Sequence, residues 1–116
     1  MIAEPTPGPE VLQLTFRLME PVELLPGQTA TLEGTGIEVV LIEAHGPKPG
    51  CYDCPASARL MVRSTDETVE LGWSFSGNMP SEALKTARRK TALGFVFIAE
   101  RIAEGSLTIQ VEPIEP

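Results

Sequence analysis

The sequence predicts an all-β fold, an antiparallel two-layer β-sandwich of the immunoglobulin-like or Greek-key type with about seven to eight strands. Three observations predict it. Apolar residues recur at every second position through most of the chain, the period of half-buried strands. Turn-forming Gly, Pro and Asp residues separate the apolar runs at short intervals. The chain has 116 residues, 42% of them hydrophobic, enough for one domain whose core needs no metal or disulfide to fold. A partly closed barrel is the next arrangement that fits.

Residues 1–10 hold three prolines and no periodicity, and they read as a flexible Pro-rich tail. Residues 11–112 make the sandwich domain, and 113–116 a second short tail. "LQLTFRL" sets Leu12, Leu14, Phe16 and Leu18 on one face of the first strand. "PGQ" at 26–28 and "EGTGI" at 33–37 are turns, the second a tight hairpin using positive φ. Its Gly-Thr-Gly is no phosphate cradle, for it lacks a third glycine and a following helix. Ile37 to Ile42 and Leu93 to Ile98 are apolar on both faces and belong in the middle of their sheets; β-branched and aromatic content favours strand over helix there.

"ARLMVR" sets Ala58, Leu60 and Val62 on one face, and "TDE" at 65–67 turns the chain. "VELGWSF" points Val69, Leu71, Trp73 and Phe75 inward, with Glu70, Gly72 and Ser74 outward, and "LTIQV" points Leu107, Ile109 and Val111 inward. Residues 78–92 are the exception. They form either one short helix near residues 81–89, capped by Ser81 with Arg88, Arg89 and Lys90 in its last turn, or a charged edge strand, which is favoured.

"VELLPGQTATLEGTGIEVVLIEA", a Cys-bearing loop at Cys51 to Ala58, Trp73, and the aromatic strand from Gly94 to Ile98 together resemble small bacterial envelope or lipoprotein-type β-sandwich domains of unknown function. That resemblance spans roughly residues 20–112. It implies a sandwich fold and a cross-linking role for the cysteines, though these domains usually space them more widely. It implies no activity and no catalytic residues.

Acidic residues outnumber basic ones by 16 to 9, a net charge of −7. Such a surface repels phosphate backbones and anionic lipid, so nucleic acid is not an expected partner. No apolar run approaches the length of a membrane span. The chain as given shows no signal peptide, and a native start at Met1 would make it cytoplasmic. A Pro-rich acidic opening also suits the tether after a removed signal or lipid anchor, which would place the domain in the cell envelope, periplasm or outside the cell.

"GPKPGCYDCPAS" carries the chemistry. Cys51 and Cys54 suit a structural disulfide, which needs an oxidising compartment. They also suit half of a metal site completed by His45 and Asp53 or by a second chain, since closed zinc sites take four ligands. A redox couple lacks the helix N-terminus that lowers a thiol pKa, and two free thiols in a cytosolic protein remain a further alternative. No nucleophile elbow is present, and His45 is the sole histidine; a general base could be a carboxylate such as Glu38 or Glu43, on what reads as a solvated strand face. Arg88, Arg89 and Lys90 form the only basic cluster and the candidate partner-binding patch. Trp73 reads as core. The resulting expectation is a non-catalytic module without a cofactor that binds a protein or small ligand, with homodimer pairing through an edge strand open to it. A metal-binding protein or a small redox protein are the alternatives.

Overall fold

The computed structural model describes residues 13–51, 54–76 and 78–114. Among them the chain forms β1 (Gln13–Phe16), β2 (Val22–Leu24), β3 (Thr29–Leu32), β4 (Ile37–His45), β5 (Ala56–Arg63), β6 (Thr68–Phe75), α1 (Ser81–Ala87), β7 (Arg89–Ala92), β8 (Phe95–Ala103) and β9 (Ser106–Pro113). A five-stranded sheet, ordered β1-β3-β4-β5-β6, faces a four-stranded sheet, ordered β2-β9-β8-β7. This is the expected all-β sandwich. Among the described residues it has nine strands rather than seven or eight, because the early segment splits into short strands on opposite sheets and residues 89–92 form a strand of their own.

The sheets are built mainly from hairpins, β3 to β6 in one and β7 to β9 in the other, while β2 lies beside β9 from the far end of the described chain. One pairing departs from the antiparallel expectation. β1 runs parallel to β3, Leu14 opposite Ala30 and Phe16 opposite Leu32. Between them the chain crosses to the other sheet to form β2 and returns, and only such a crossover lets neighbouring strands run the same way.

The inward residues match the period-two reading. Leu60, Val62, Leu71, Trp73, Phe75, Leu107, Ile109 and Val111 are buried, and Val69 packs against them. Phe97, wholly enclosed, is the largest fully buried side chain. No charged or polar residue is buried among the described residues, as expected where every polar side chain has a route to water.

The turns use the predicted chemistry. The loop from 33 to 36 places Gly34 at φ 79° and Gly36 at φ 77°, and Thr35 closes it by donating from Oγ1 to the carbonyl of Leu32. Ile37 to Ile42 does lie in the central strand of its sheet. Leu93 to Ile98 does not form one strand. Leu93 (φ 50°) and Gly94 (φ 87°) make the two-residue turn between β7 and β8, both left-handed as a primed hairpin turn requires.

Residues 78–92 realise both readings in succession, a helix over Ser81–Ala87 and then an edge strand over Arg89–Ala92. Ser81 does not cap the helix. Pro80, at φ −56° and ψ 146°, occupies the cap position, and no side chain bonds the first turn. Arg88 ends the helix, so Arg89 and Lys90 belong to the strand rather than to a last helical turn. The tail predicted over residues 1–10 lies outside the described residues, as does Leu12. Pro113 still pairs with Phe95 at the end of β9.

Candidate functional site

A bulge in β4 decides what the outer face of the five-stranded sheet presents. Leu41 pairs with Leu60, and the next pair is Glu43 with Arg59, so Ile42 is an extra residue. The insertion reverses the alternation. Before it Val39 and Leu41 face the core; after it Ala44 does, and Glu43 and His45 turn to solvent. Arg59 on β5 lies opposite both Glu43 and Gly72, and Ser57 lies opposite both His45 and Ser74.

The resulting grid carries a chain of charges. Glu104, in the turn between β8 and β9, accepts from His45 Nδ1 at 3.2 Å and from the Gly46 amide at 3.2 Å. His45 Nε2 meets Glu43 at 3.0 Å. Glu43 accepts from Arg59 Nη1 at 2.7 Å, and Arg59 Nε donates to Glu70 at 2.7 Å. Hydrogen bonds to Glu43 and then Glu104 raise the His45 pKa above its ordinary value. Hydrogen bonds from Arg59 and then His45 hold Glu43 below the usual carboxylate range, and Arg59 does the same to Glu70. Gly46 fits because the turn crowds it: a Cβ there would stand 3.0 Å from the Glu104 amide nitrogen.

Beside this chain lies an open hollow of about 390 Å³. Its floor runs along Ala58, Gly72 and Trp73; Glu43, Ser57, Arg59 and Ser74 rise around it. Lys90 closes the side at the sandwich edge. Lys90 occupies a core-facing register on β7, opposite the buried Phe97, yet it is exposed. That is how an edge strand uses an inward-pointing charge: the stem lies along apolar surface and the head emerges into water. Gly72 leaves the space open, and an added Cβ there would meet only the Ala58 carbonyl oxygen, at 3.9 Å.

The predicted site residues fall in three places. The Cys51 and Cys54 sulfurs lie 1.98 Å apart, at disulfide distance, in the loop joining β4 to β5. His45 has a carboxylate at each ring nitrogen. Asp53 lies outside the described residues. Among those described, no three His, Cys, Asp or Glu side chains are grouped to hold a metal ion. Glu38, the other carboxylate singled out on β4, pairs with Arg63 at 3.0 Å.

Arg88, Arg89 and Lys90 do not act as one patch. The Arg88 guanidinium lies over the Phe75 ring, 5.2 Å from its centroid, and donates to the carbonyls of Ala99 and Glu100. Arg89 pairs with Glu112 at 3.2 Å. Only Lys90 reaches the hollow. Ser57, Gly72 and Ser74, by contrast, carry no site motif in the sequence. The one local signal was Gly72, an isolated glycine inside a strand pattern, which marks a bulge or an open approach. No helix of the described residues is long and apolar enough to cross a membrane. Comparison with known proteins finds no matching family model, no matching curated protein and no matching solved structure.

Proposed function

We propose that this chain is a non-catalytic β-sandwich binding module of an extracytoplasmic compartment, of the bacterial cell-envelope type, and that it binds through the outer face of its five-stranded sheet. The observation that carries the reading is the hollow over Gly72: a concave, polar-rimmed space on the outer strand face, the kind of feature in which small ligands are held. Around it Arg59 is held by two carboxylates and Glu43 by Arg59 and His45. The rim is thereby pre-organised, which limits the ordering cost of binding. The disulfide distance between Cys51 and Cys54 supports an oxidising location. Cysteines bonded to each other offer no thiolate to a metal, so the metal-handling alternative draws no support from this pair.

The test is backbone amide NMR of the folded domain against a panel of small cations, neutral sugars, carboxylates and phosphate. Saturable shifts clustered on Ser57, Gly72 and Ser74 are expected with at least one class. Shifts confined to another surface, or none with any class, would overturn the reading.

A further inference from the structure

The groups facing the hollow divide into those already engaged and those not. Arg59 donates to Glu43 and Glu70, and Glu43 accepts from Arg59 and His45. Lys90 has neither a salt bridge nor a side-chain hydrogen bond among the described residues, although its ammonium carries three donors. Ser57 and Ser74 stand directly opposite each other on β5 and β6, and neither hydroxyl makes a hydrogen bond among the described residues. The open capacity of the hollow is therefore one cation and two hydroxyls. Its one lining carboxylate is already taken up by neighbours.

We propose that the hollow takes a small monocarboxylate, its carboxylate held by Lys90 and by the Ser57 and Ser74 hydroxyls, its body lying over Gly72. The proposal rests on the binding reading above and names the ligand class of that site. A carboxylate fits the donor set because it only accepts, and a charge-assisted bond from an ammonium is about twice as strong as a neutral one. The single unengaged cation sets the charge at one. A phosphate would bring further charge against Glu43 in the lining and against the −7 of the whole chain. At about 390 Å³ the space suits a molecule the size of a sugar acid or an acylated amino acid, near the lower end of ligand-pocket volumes.

The probes are D-glucuronate and N-acetylglycine, with glucose, N-acetylglycinamide and inorganic phosphate as controls. Two readouts serve: the fluorescence of Trp73, the only tryptophan, which stands between Gly72 and Ser74 on β6, and the amide shifts of Gly72 and Ser74. The carboxylates are expected to give saturable changes that the neutral controls do not. Lys90→Gln should weaken them about tenfold or more, and Lys90→Arg should largely preserve them. Gly72→Val should abolish them while far-UV circular dichroism shows the fold intact. Carboxylate binding that ignores Lys90→Gln would overturn the assignment of Lys90. Equal binding of the neutral amide, or tighter binding of phosphate, would overturn the monocarboxylate class and leave the hollow a binding site. No response to any probe would overturn both the class and the site.

Discussion

The indole Nε1–H of Trp73 donates to the carbonyl oxygen of Arg88 at 2.9 Å. The amide of Ala99 donates to the same oxygen, also at 2.9 Å. Trp73 lies in one sheet and Ala99 in the other, so a single carbonyl at the end of α1 joins the two layers. The Arg88 side chain works at the same junction. Its guanidinium donates to the carbonyls of Ala99 and Glu100, where β8 bulges, and stacks on Phe75.

Trp73→Phe removes one bond to that carbonyl and shrinks a buried ring, and it should cost about 2 kcal/mol of folding free energy. Arg88→Ala should destabilise clearly more than Arg89→Ala, whose partner Glu112 forms a solvent-facing pair of a kind worth under about 1 kcal/mol. Lys90→Ala should be close to neutral. Urea denaturation followed by far-UV circular dichroism ranks the variants. Equal losses for Arg88 and Arg89 would show that the junction does not depend on the guanidinium.

The His45 clasp makes stability depend on pH with a definite sign. The folded pKa of His45 is raised above its ordinary value of 6.5. Its contribution is therefore fully present below 6.5 and is lost as the pH rises through the higher folded value. Glu43 is depressed below its ordinary 4.5, so its contribution is present above 4.5 and is lost as the pH falls through the lower folded value. The clasp is thus strongest between 4.5 and 6.5. The single imidazole should titrate above 6.5 by proton NMR, and Glu104→Gln should move its midpoint down. His45→Gln should remove the alkaline decline in melting temperature. A wild-type midpoint below 6.5 would contradict the geometry.

Reduction of the Cys51–Cys54 pair should leave the sandwich folded. The two residues are three apart in sequence, so the ring they close is small, and the chain-entropy estimate for so short a loop is about 2 kcal/mol. Neither cysteine belongs to the core cluster. The reduced protein should keep its far-UV spectrum and its amide positions at Gly72 and Ser74, with a modest fall in denaturation midpoint. Global unfolding on reduction would mean that the loop holds the sheets together.

Residue periodicity reveals the layers but not the register between strands. Val69, Leu71, Trp73 and Phe75 alternate with polar neighbours, so their common face is readable directly. The Ile42 bulge has no such signature, because an extra residue inside an apolar run leaves the composition unchanged. Without it the facing of Glu43 and His45 is wrong by one position. The hollow is hidden for the same reason. Ser57, Ser74 and Lys90 belong to three strands, and only the β5–β6 register and the packing of two sheet edges bring them to one place. Arg88 and Lys90 look alike in "TARRK", yet a helix end separates them, and one serves the core junction while the other faces the hollow.

Gly72 is where stability and the proposed function pull apart. A glycine inside a strand costs about 0.5–1 kcal/mol relative to alanine, and β-branched residues suit a pleated, half-exposed position. Nothing in the backbone demands glycine here. Gly72 is not among the residues with positive φ, and an added Cβ would meet a single carbonyl oxygen at an ordinary contact distance of 3.9 Å. Gly72→Val should therefore raise stability by about 0.5–1 kcal/mol, read from urea denaturation, while it fills the space between Arg59, Ser74 and Lys90 and blocks binding there. Such a gain paired with loss of ligand response would mark a position held open for function at the expense of stability. A loss of stability would mean that the outer face tolerates no side chain at this point, and that the hollow is a packing requirement rather than a site.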